Sequence, residues 1–483
     1  MKLSSGFPLY AAFGLITAGL LVYSQTMAFH WDEGFHLLTA QLIIGGKRPY
    51  ADFVFAQTPL SAYWNALWMR VFGESWRLVH AVAALETAAA VLLMAQYVIS
   101  IFPVEEWRMA GGLAALALFG LQMLVFDFGA LAQAYGLCTL LVVAAFRLAI
   151  LAPDRPPWVA ALAGFCAAAA AGASLLTAAV APVLLVWMWI YNRRGSRTAK
   201  AAAYVAGGVL PMLPVARLVL AAPRQAWFDL VQYHALYRRA DWPGATKHDI
   251  DVFSSWINDG QDLILILLAL AGLIYLRRGM TEKRARAELW LCVWLPLAVA
   301  LQNSTAHPTF RQYFLWMIPF AAVFGSLGFY QVASRLGGEQ HRRRAVALLA
   351  VLMVLGLGRG FFDGLDTYSW RQLEKTARKV QEVTPKNAEL LAPEQIYFLT
   401  HRPAPTGLEF VHLKKLDLGT TRNAQLHILP LAEIDRRLKA GLYATAVVCD
   451  DDDRISQVDG WKLYAERTDI GDCTVFDKFK AAR

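Results

Sequence analysis

Eleven apolar runs of about 15 to 24 residues recur along this chain, near 9–29, 78–101, 109–126, 131–151, 157–173, 175–191, 201–221, 262–276, 288–303, 312–333 and 345–360. No other feature narrows the fold as much. A run of that length crosses the hydrocarbon core of a bilayer as a helix, and in lipid only helices and closed barrels satisfy every backbone polar group. The expectation is therefore an all-α polytopic membrane protein with about eleven transmembrane helices. Composition agrees: 57% of the 483 residues are hydrophobic and 16 are Trp, whereas soluble domains rarely pass one half apolar. The first run is longer than the apolar core of a signal peptide, lacks a small-x-small cleavage site at its end, and is read as a retained span. In 157–191 only Gly172-Ala173-Ser174 marks a turn between two short spans.

The formal charge of +9 is explained by topology and calls for no nucleic acid. Lys and Arg gather in the short loops 192–200, 277–286 and 335–344, with four or five in each. A single register makes all three cytoplasmic, with the N-terminus inside; shifting the count by one span would put a cluster outside. Loops 30–77 and 222–261 and the tail from Phe361 then share the opposite face. Glu86 and Arg147 fall within spans, at pairing or snorkelling positions.

The loop after the first span carries the chemistry. It opens with Asp32-Glu33 where the chain leaves the membrane, a depth at which carboxylates need a reason. Gly45-Gly46 stops the helix that follows, and Lys47-Arg48-Pro49-Tyr50 imposes an extended path. Leu60, Tyr63, Trp64, Leu67, Trp68, Val71 and Phe72 then line one face of a helix, which is expected to lie in the bilayer interface. The alternative is an ordinary core helix of a soluble domain.

This arrangement resembles the GT-C superfamily of integral-membrane glycosyltransferases, in particular the branch of protein O-mannosyltransferases and lipid A aminoarabinose transferases. The resemblance rests on Asp32-Glu33, Gly46, Pro49-Tyr50 with Asp52, and Pro59-Leu60, in that order. The tail segment TPKNAELLAPEQIYFLTHRP is also similar to bacterial members. Where the family often has a second proline beside Pro59, this chain has Thr58, which puts donor contacts there in doubt. The resemblance implies a GT-C-like transmembrane catalytic domain over 1–360 and a small C-terminal periplasmic α/β domain over 361–483, in a bacterial inner membrane. It also implies inverting transfer of a hexosyl or pentosyl group from a polyprenyl-phosphate donor to a hydroxyl of a lipid, glycan or protein, on the periplasmic face. The competing class is a transporter or flippase of a polyprenyl-linked glycan, which needs carboxylates in mid-span and no acidic pair at a helix exit.

Such a transfer must deprotonate a hydroxyl and steady a phosphate that gains charge as it leaves. Asp32 is the candidate base, since partial desolvation is expected to raise its pKa, and the resemblance points to the same residue. Glu33 orients Asp32 or binds the acceptor, unless the pair merely caps the helix from Gly34. Asp127, in the second external loop, is the second acidic candidate. For the phosphate the candidates are Lys47 and Arg48, Arg238 and Arg239, and His307 with Arg311. Arg311 leads because Arg311, Tyr313 and Pro319 resemble the basic-Tyr-Pro pattern near the lipid phosphate in this superfamily. Tyr50, Gln57, His234 and Tyr313 are candidate substrate contacts. No metal ligand is assigned, because no His has a second ligand at zinc-like spacing, yet some superfamily members use a divalent metal and that cofactor stays open. No Gly-rich phosphate loop is found.

The tail changes character. Amphipathic helices are expected at 367–383 (Trp370, Leu373, Ala377, Val380) and 430–440, and β-like runs at 444–449 and 472–477. Cys449 and Cys473 can pair if the tail leaves the reducing compartment; Cys138, Cys166 and Cys292 lie in apolar runs.

Overall fold

A computed structural model describes residues 6–238, 242, 244–278, 282–336, 339–365, 369–449 and 458–480. Each of the eleven apolar runs falls on a helix. The protein is a multi-pass helical membrane protein with a small C-terminal sheet. Among the described residues seven helices are long and apolar enough to cross a membrane, or nine if each of two bent pairs is one span. The count of eleven is corrected at α8 (Pro157–Ala173) and at 175–191, which are apolar but shorter than the rest. At 1.5 Å per residue such a helix reaches about 25 Å, short of a ~30 Å core.

The chain divides into two compact units. The first comprises Met1–Ala28, Val79–Val215 and Asp241–Leu365. It holds the spans: α1 (Phe7–Thr26), most of α4 (Trp76–Ile101), α5 (Arg108–Gly120) with α6 (Met123–Gly129), α7 (Tyr135–Leu151), α8, α9 (Val180–Tyr191), most of α10 (Arg197–Ala221), α12 (Ala245–Asn258) with α13 (Gly260–Arg278), α14 (Lys283–Ser304), α15 (Ile318–Ala333) and α16 (Glu339–Asp363). The α15 span is 78% buried and sits at the centre, while α10 and α16, each 22% buried, present most of their surface outward. Small residues bring α13 against α15. A Cβ on Gly328 would stand 1.9 Å from the Leu268 carbonyl oxygen, and one on Gly272 2.0 Å from that of Phe324, so both positions need glycine.

Two expected straight spans are broken. Between α5 and α6 the axis turns by 58°, and between α12 and α13 by 72°. Backbone groups freed at the first break are satisfied from the second, by Gln261. Gln261 donates to Leu121 O (2.8 Å) and Met353 O (2.7 Å) and accepts from Met123 N (2.8 Å). Asp259 Oδ1 accepts from the backbone of Gln261 (2.9 Å) and Asp262 (3.2 Å), capping α13. Broken helices at membrane depth persist only where polar groups are paired off in this way.

The second unit comprises Phe29–Leu78, Ala216–Ala240 and Asp366–Arg483. It gathers the loop after the first span, with α2 (Glu33–Ile44) and α3 (Leu60–Phe72), the short α11 (Pro223–Trp227), a π-helix (Phe228–Tyr237), and the tail helices α17 (Trp370–Val383), α18 (Glu394–Thr400), α19 (Thr420–Gln425) and α20 (Leu431–Lys439). Strands β1 (Glu389–Leu391), β2 (Tyr443–Cys449), β3 (Tyr464–Ile470) and β4 (Cys473–Phe479) form one sheet in the order β1-β2-β4-β3. Only the β1–β2 pair is parallel. The four apolar residues expected on α17 are all buried. Cys449 lies directly opposite Cys473 in the β2–β4 ladder, and the two form a disulfide.

On α3 the expected period is present and its apolar face points outward. Ser61, Ala62, Asn65, Ala66 and Met69 are buried, while Leu67, Val71 and Phe72 are exposed by 51%, 62% and 64%. A core helix of a soluble domain has the reverse pattern. An apolar face turned out, with small and polar residues packed in, suits a helix lying in a bilayer interface.

Candidate active site

Asp32 sits at the first residue before α2, and its carboxylate is surrounded by imidazoles. Asp32 Oδ2 is 4.0 Å from His30 Nδ1, and the Asp32 backbone N–H donates to the same nitrogen at 3.2 Å. From the tail, His412 Nε2 reaches Asp32 Oδ1 at 3.3 Å. Burial works to raise the Asp32 pKa, but the His412 hydrogen bond and the neighbouring imidazoles outweigh it and hold the carboxyl well below the usual carboxylate range. This corrects the expectation of a raised value: desolvation is present and loses to charge pairing. His36 is pushed down to about 4, first by its own burial, and is neutral at pH 7, so the His412 hydrogen bond is the main hold there. For His412, burial lowers the pKa but Asp32 raises it more, and the net direction is up. The Asp32 and His412 side chains are 39% and 48% exposed, so water screens part of this coupling.

Glu33 turns away from the opening. It is fully buried, with Oε2 accepting from His30 N (3.0 Å) and from Trp370 Nε1 (3.2 Å). Trp370 stacks on Trp76 with centroids 5.4 Å apart. Glu33 thus holds the entry to α2 and ties α17 to it, while the Asp32 side chain makes no capping bond. The tail packs on α2 through α18, where a Cβ on Gly34 would come within 2.5 Å of the Gln395 side chain. Gln395 Nε2 in turn donates to Trp31 O at 2.7 Å. Two further tail carboxylates lie nearby: Glu394 accepts from Val411 N at 2.6 Å, and burial pushes Glu409 up to about 7.

The stretch after α2 is a tight turn. Gly46 takes φ +87° and Tyr50, unusually for a large residue, φ +67°. Tyr50 is fully buried with its hydroxyl donating to the backbone carbonyl of Gln57 at 2.7 Å, so its side chain serves the turn and Gln57 takes part through its main chain. Arg48 pairs with Asp52 at 3.2 Å, and Lys47 faces the charge of Glu409. The π-helix braces the far side of the turn. Asp229 Oδ2 accepts from Phe55 N at 3.0 Å, and His234 Nε2 lies 2.7 Å from Ala56 O. Burial drives Asp229 up to about 8, against the pull of the Phe55 bond, and lowers His234. Arg238 follows directly on this π-helix, whereas Arg239 lies outside the described residues.

In the first unit, Arg311 is committed to carboxylates. Its Nη2 donates to Asp262 Oδ2 at 2.5 Å and lies 3.2 Å from Asp259 Oδ2, and Asp262 also accepts from Gln122 at 3.0 Å. The Arg311 Nε is buried without a hydrogen-bond partner among the described residues. His307 Nδ1 is 2.5 Å from Asp249, Tyr313 is half-buried against Phe310, and Asp127 accepts from the Tyr23 hydroxyl at 2.6 Å. Among the described residues no group of three or more His, Cys, Asp or Glu could hold a metal ion.

The multi-pass helical bundle with its small α/β tail has a GT-C-like fold. Neither a protein-family model nor a curated protein matches the sequence. Among solved structures, ArnT from Cupriavidus metallidurans in the apo state is similar over 98% of this chain and 98% of its own, with a TM-score of 0.71 at 14% identity. ArnT bound to undecaprenyl phosphate is similar over 99% and 98%, with a TM-score of 0.66 at 14% identity. The archaeal oligosaccharyltransferase AglB from Archaeoglobus fulgidus, in complex with an inhibitory peptide and a dolichol-phosphate, is similar over 99% of this chain and 75% of that one, with a TM-score of 0.54 at 11% identity. At such identities the likeness is one of fold.

Proposed function

We propose that the protein is a membrane glycosyltransferase that moves a sugar from a polyprenyl-phosphate donor to a hydroxyl acceptor, with inversion, on the extracytoplasmic face. The observation that carries this reading is the ionised, half-exposed Asp32 carboxylate just before α2, held by His412. In this reading the acceptor oxygen attacks the anomeric carbon, the bond from that carbon to the phosphate oxygen breaks, and polyprenyl phosphate leaves with the electron pair. Asp32 takes the hydroxyl proton. A carboxylate of low pKa is a weak base toward a free alcohol, but the hydroxyl grows acidic as its new bond to the sugar forms, and late transfer suits such a base. His412 keeps Asp32 ionised and aimed. Support for lipid-linked chemistry comes from the fold shared with ArnT, whose structure contains undecaprenyl phosphate, and with AglB, whose structure contains a dolichol-phosphate.

The leaving phosphate needs cations, and the candidates are Lys47, Arg48, Arg238 and Arg239 in the second unit and, separately, His307 and Arg311 in the first. Arg48, His307 and Arg311 carry carboxylate partners in this structure, so their engagement would exchange those ion pairs for the phosphate. The acceptor is a lipid, glycan or protein hydroxyl. The Cys449–Cys473 disulfide supports a tail outside the reducing compartment, which agrees with the periplasmic side that the basic loops imply.

The test is release of polyprenyl phosphate from synthetic short-chain donors carrying labelled sugar, by purified wild type and by Asp32→Asn. Acceptor-dependent release that vanishes in Asp32→Asn, with donor binding retained, is the expected result. No release with any donor, together with donor crossing the bilayer in proteoliposomes, would replace the transferase by a flippase.

A further inference from the structure

The C-terminal ends of α7 and α9 and the start of α14 frame an open cavity of about 470 Å³, lined by Leu151, Asp154, Arg155, Arg193, Arg194 and Arg284. None of these residues belongs to the candidate active site. Four guanidinium groups here face one carboxylate. Asp154 is shared by Arg284 (3.1 Å) and Arg193 (3.7 Å), and Arg284 also pairs with Glu288 at 2.9 Å. Arg155 and Arg194 carry no ion pair among the described residues, so the cavity holds two uncompensated positive charges.

The floor is fixed rather than loose. The carbonyl oxygen of Pro153 accepts from the backbone of Arg193 (3.3 Å) and Arg194 (3.0 Å) and from the buried Lys200 ammonium (2.8 Å). Leu151, the one apolar residue that lines the cavity, is exposed, and the flanking sequence carries exposed apolar side chains: Trp158, three residues beyond Arg155, is 61% exposed and Ile190, three residues before Arg193, is 56% exposed. Guanidinium forks beside exposed Trp and aliphatic side chains at the end of a span match a headgroup phosphate with acyl chains lying alongside.

We propose that this cavity binds a phosphate-bearing anion. An anionic phospholipid headgroup is the source favoured by the exposed apolar side chains that flank these arginines in the sequence, and free inorganic phosphate is the other source of the same chemistry. The site lies on the arginine-rich face that the charge pattern assigns to the cytoplasm, where anionic lipids concentrate.

The experiment uses the purified full chain in neutral detergent. Its thermal midpoint is followed with added phosphatidylglycerol, with phosphatidylcholine and with millimolar inorganic phosphate, and retained lipid is counted by native mass spectrometry. Phosphatidylglycerol is expected to raise the midpoint and stay bound where phosphatidylcholine does not. Arg155→Ala/Arg194→Ala should weaken that binding roughly tenfold, as expected for the loss of charge-assisted forks. Arg197→Ala/Arg286→Ala, from the same basic loops but outside the cavity, should leave it unchanged. Protection by inorganic phosphate alone, lost in the same cavity variant, would assign the site to free phosphate. No protection by either anion, or equal loss in both double variants, would overturn the proposal and leave only a diffuse basic face. Should the double alanine variant fail to fold, Arg155→Gln alone gives the same comparison.

Discussion

His412 Nε2 stands 3.3 Å from Asp32 Oδ1, a pairing made across 380 positions of sequence. It fixes opposite pH dependences on its two members. Asp32, with a lowered folded pKa, adds stability present above its ordinary value and lost as pH falls through the depressed one. His412, with a raised folded pKa, adds stability that is full below about 6.5 and lost as pH rises through the raised value. The thermal midpoint of wild type should therefore decline on the alkaline side of 6.5 more steeply than that of His412→Ala. Sugar transfer should fall over the same window in wild type, and the variant should lose turnover more than donor affinity. Coincident midpoint curves for the two proteins would remove the pairing from the account.

Arg311 poses a different problem, because removing it leaves Asp262, fully buried, without its cation. Arg311→Ala is expected to cost about 3 kcal/mol or more of stability, as for breaking other buried pairs. Loss of activity in that variant alone says little about phosphate binding. Asp262→Asn/Arg311→Ala should recover most of the stability, and a donor KM that stays high in the recovered protein would identify Arg311 as a phosphate contact. A KM restored along with stability would reduce it to a brace for the helix breaks.

Asp229 is expected to be protonated at neutral pH, because burial raises it from 3.8 to about 8. Its contribution to stability is full below 3.8 and declines as pH rises through about 8. Asp229→Asn keeps an acceptor for Phe55 N and should flatten that decline, whereas Asp229→Ala orphans the donor and should cost about 1–3 kcal/mol. Unfolding midpoints between pH 5 and 9 distinguish the three proteins.

Gly34→Ala should displace Gln395 and break its bond to Trp31 O, shifting the start of α2 where Asp32 is held. A drop in turnover with modest destabilisation, about 1–3 kcal/mol, is expected. Gly34→Ala/Gln395→Ala removes the obstructing side chain and should restore part of the turnover. A double variant as slow as the single one would show that space at Gly34 is not what matters.

The sequence made the spans legible, because length and hydropathy are local properties, and it made α3 legible through its period, with Leu60–Phe72 falling at the expected bounds. The tail helices around 367–383 and 430–440 were legible for the same reason. Short β1 and the charged β3, reading YAERTDI, carry no alternating apolar signal and were missed. The break at Leu121 was hidden too, since the side chain that satisfies it, Gln261, comes from a remote segment. In the candidate site Asp32 stood out because carboxylates at a helix exit are unusual. His412 did not, for a lone His in a polar tail has no spacing to mark it. Its absence from that reading inverted the expected pKa of Asp32. Grouping the loop after the first span with the tail likewise depends on packing such as Gly34 on Gln395, which no local pattern announces.

The outward apolar face of α3 has a consequence for the chemistry beside it. α3 packs on α2, and Asp32 immediately precedes α2. If Leu67, Val71 and Phe72 float at the boundary between acyl chains and headgroups, they act as a waterline that sets how deep Asp32 rides. A donor whose phosphate is tethered to the same boundary by its lipid would then meet the carboxylate at a height both molecules take from the bilayer. The membrane itself would serve as the ruler that aligns them.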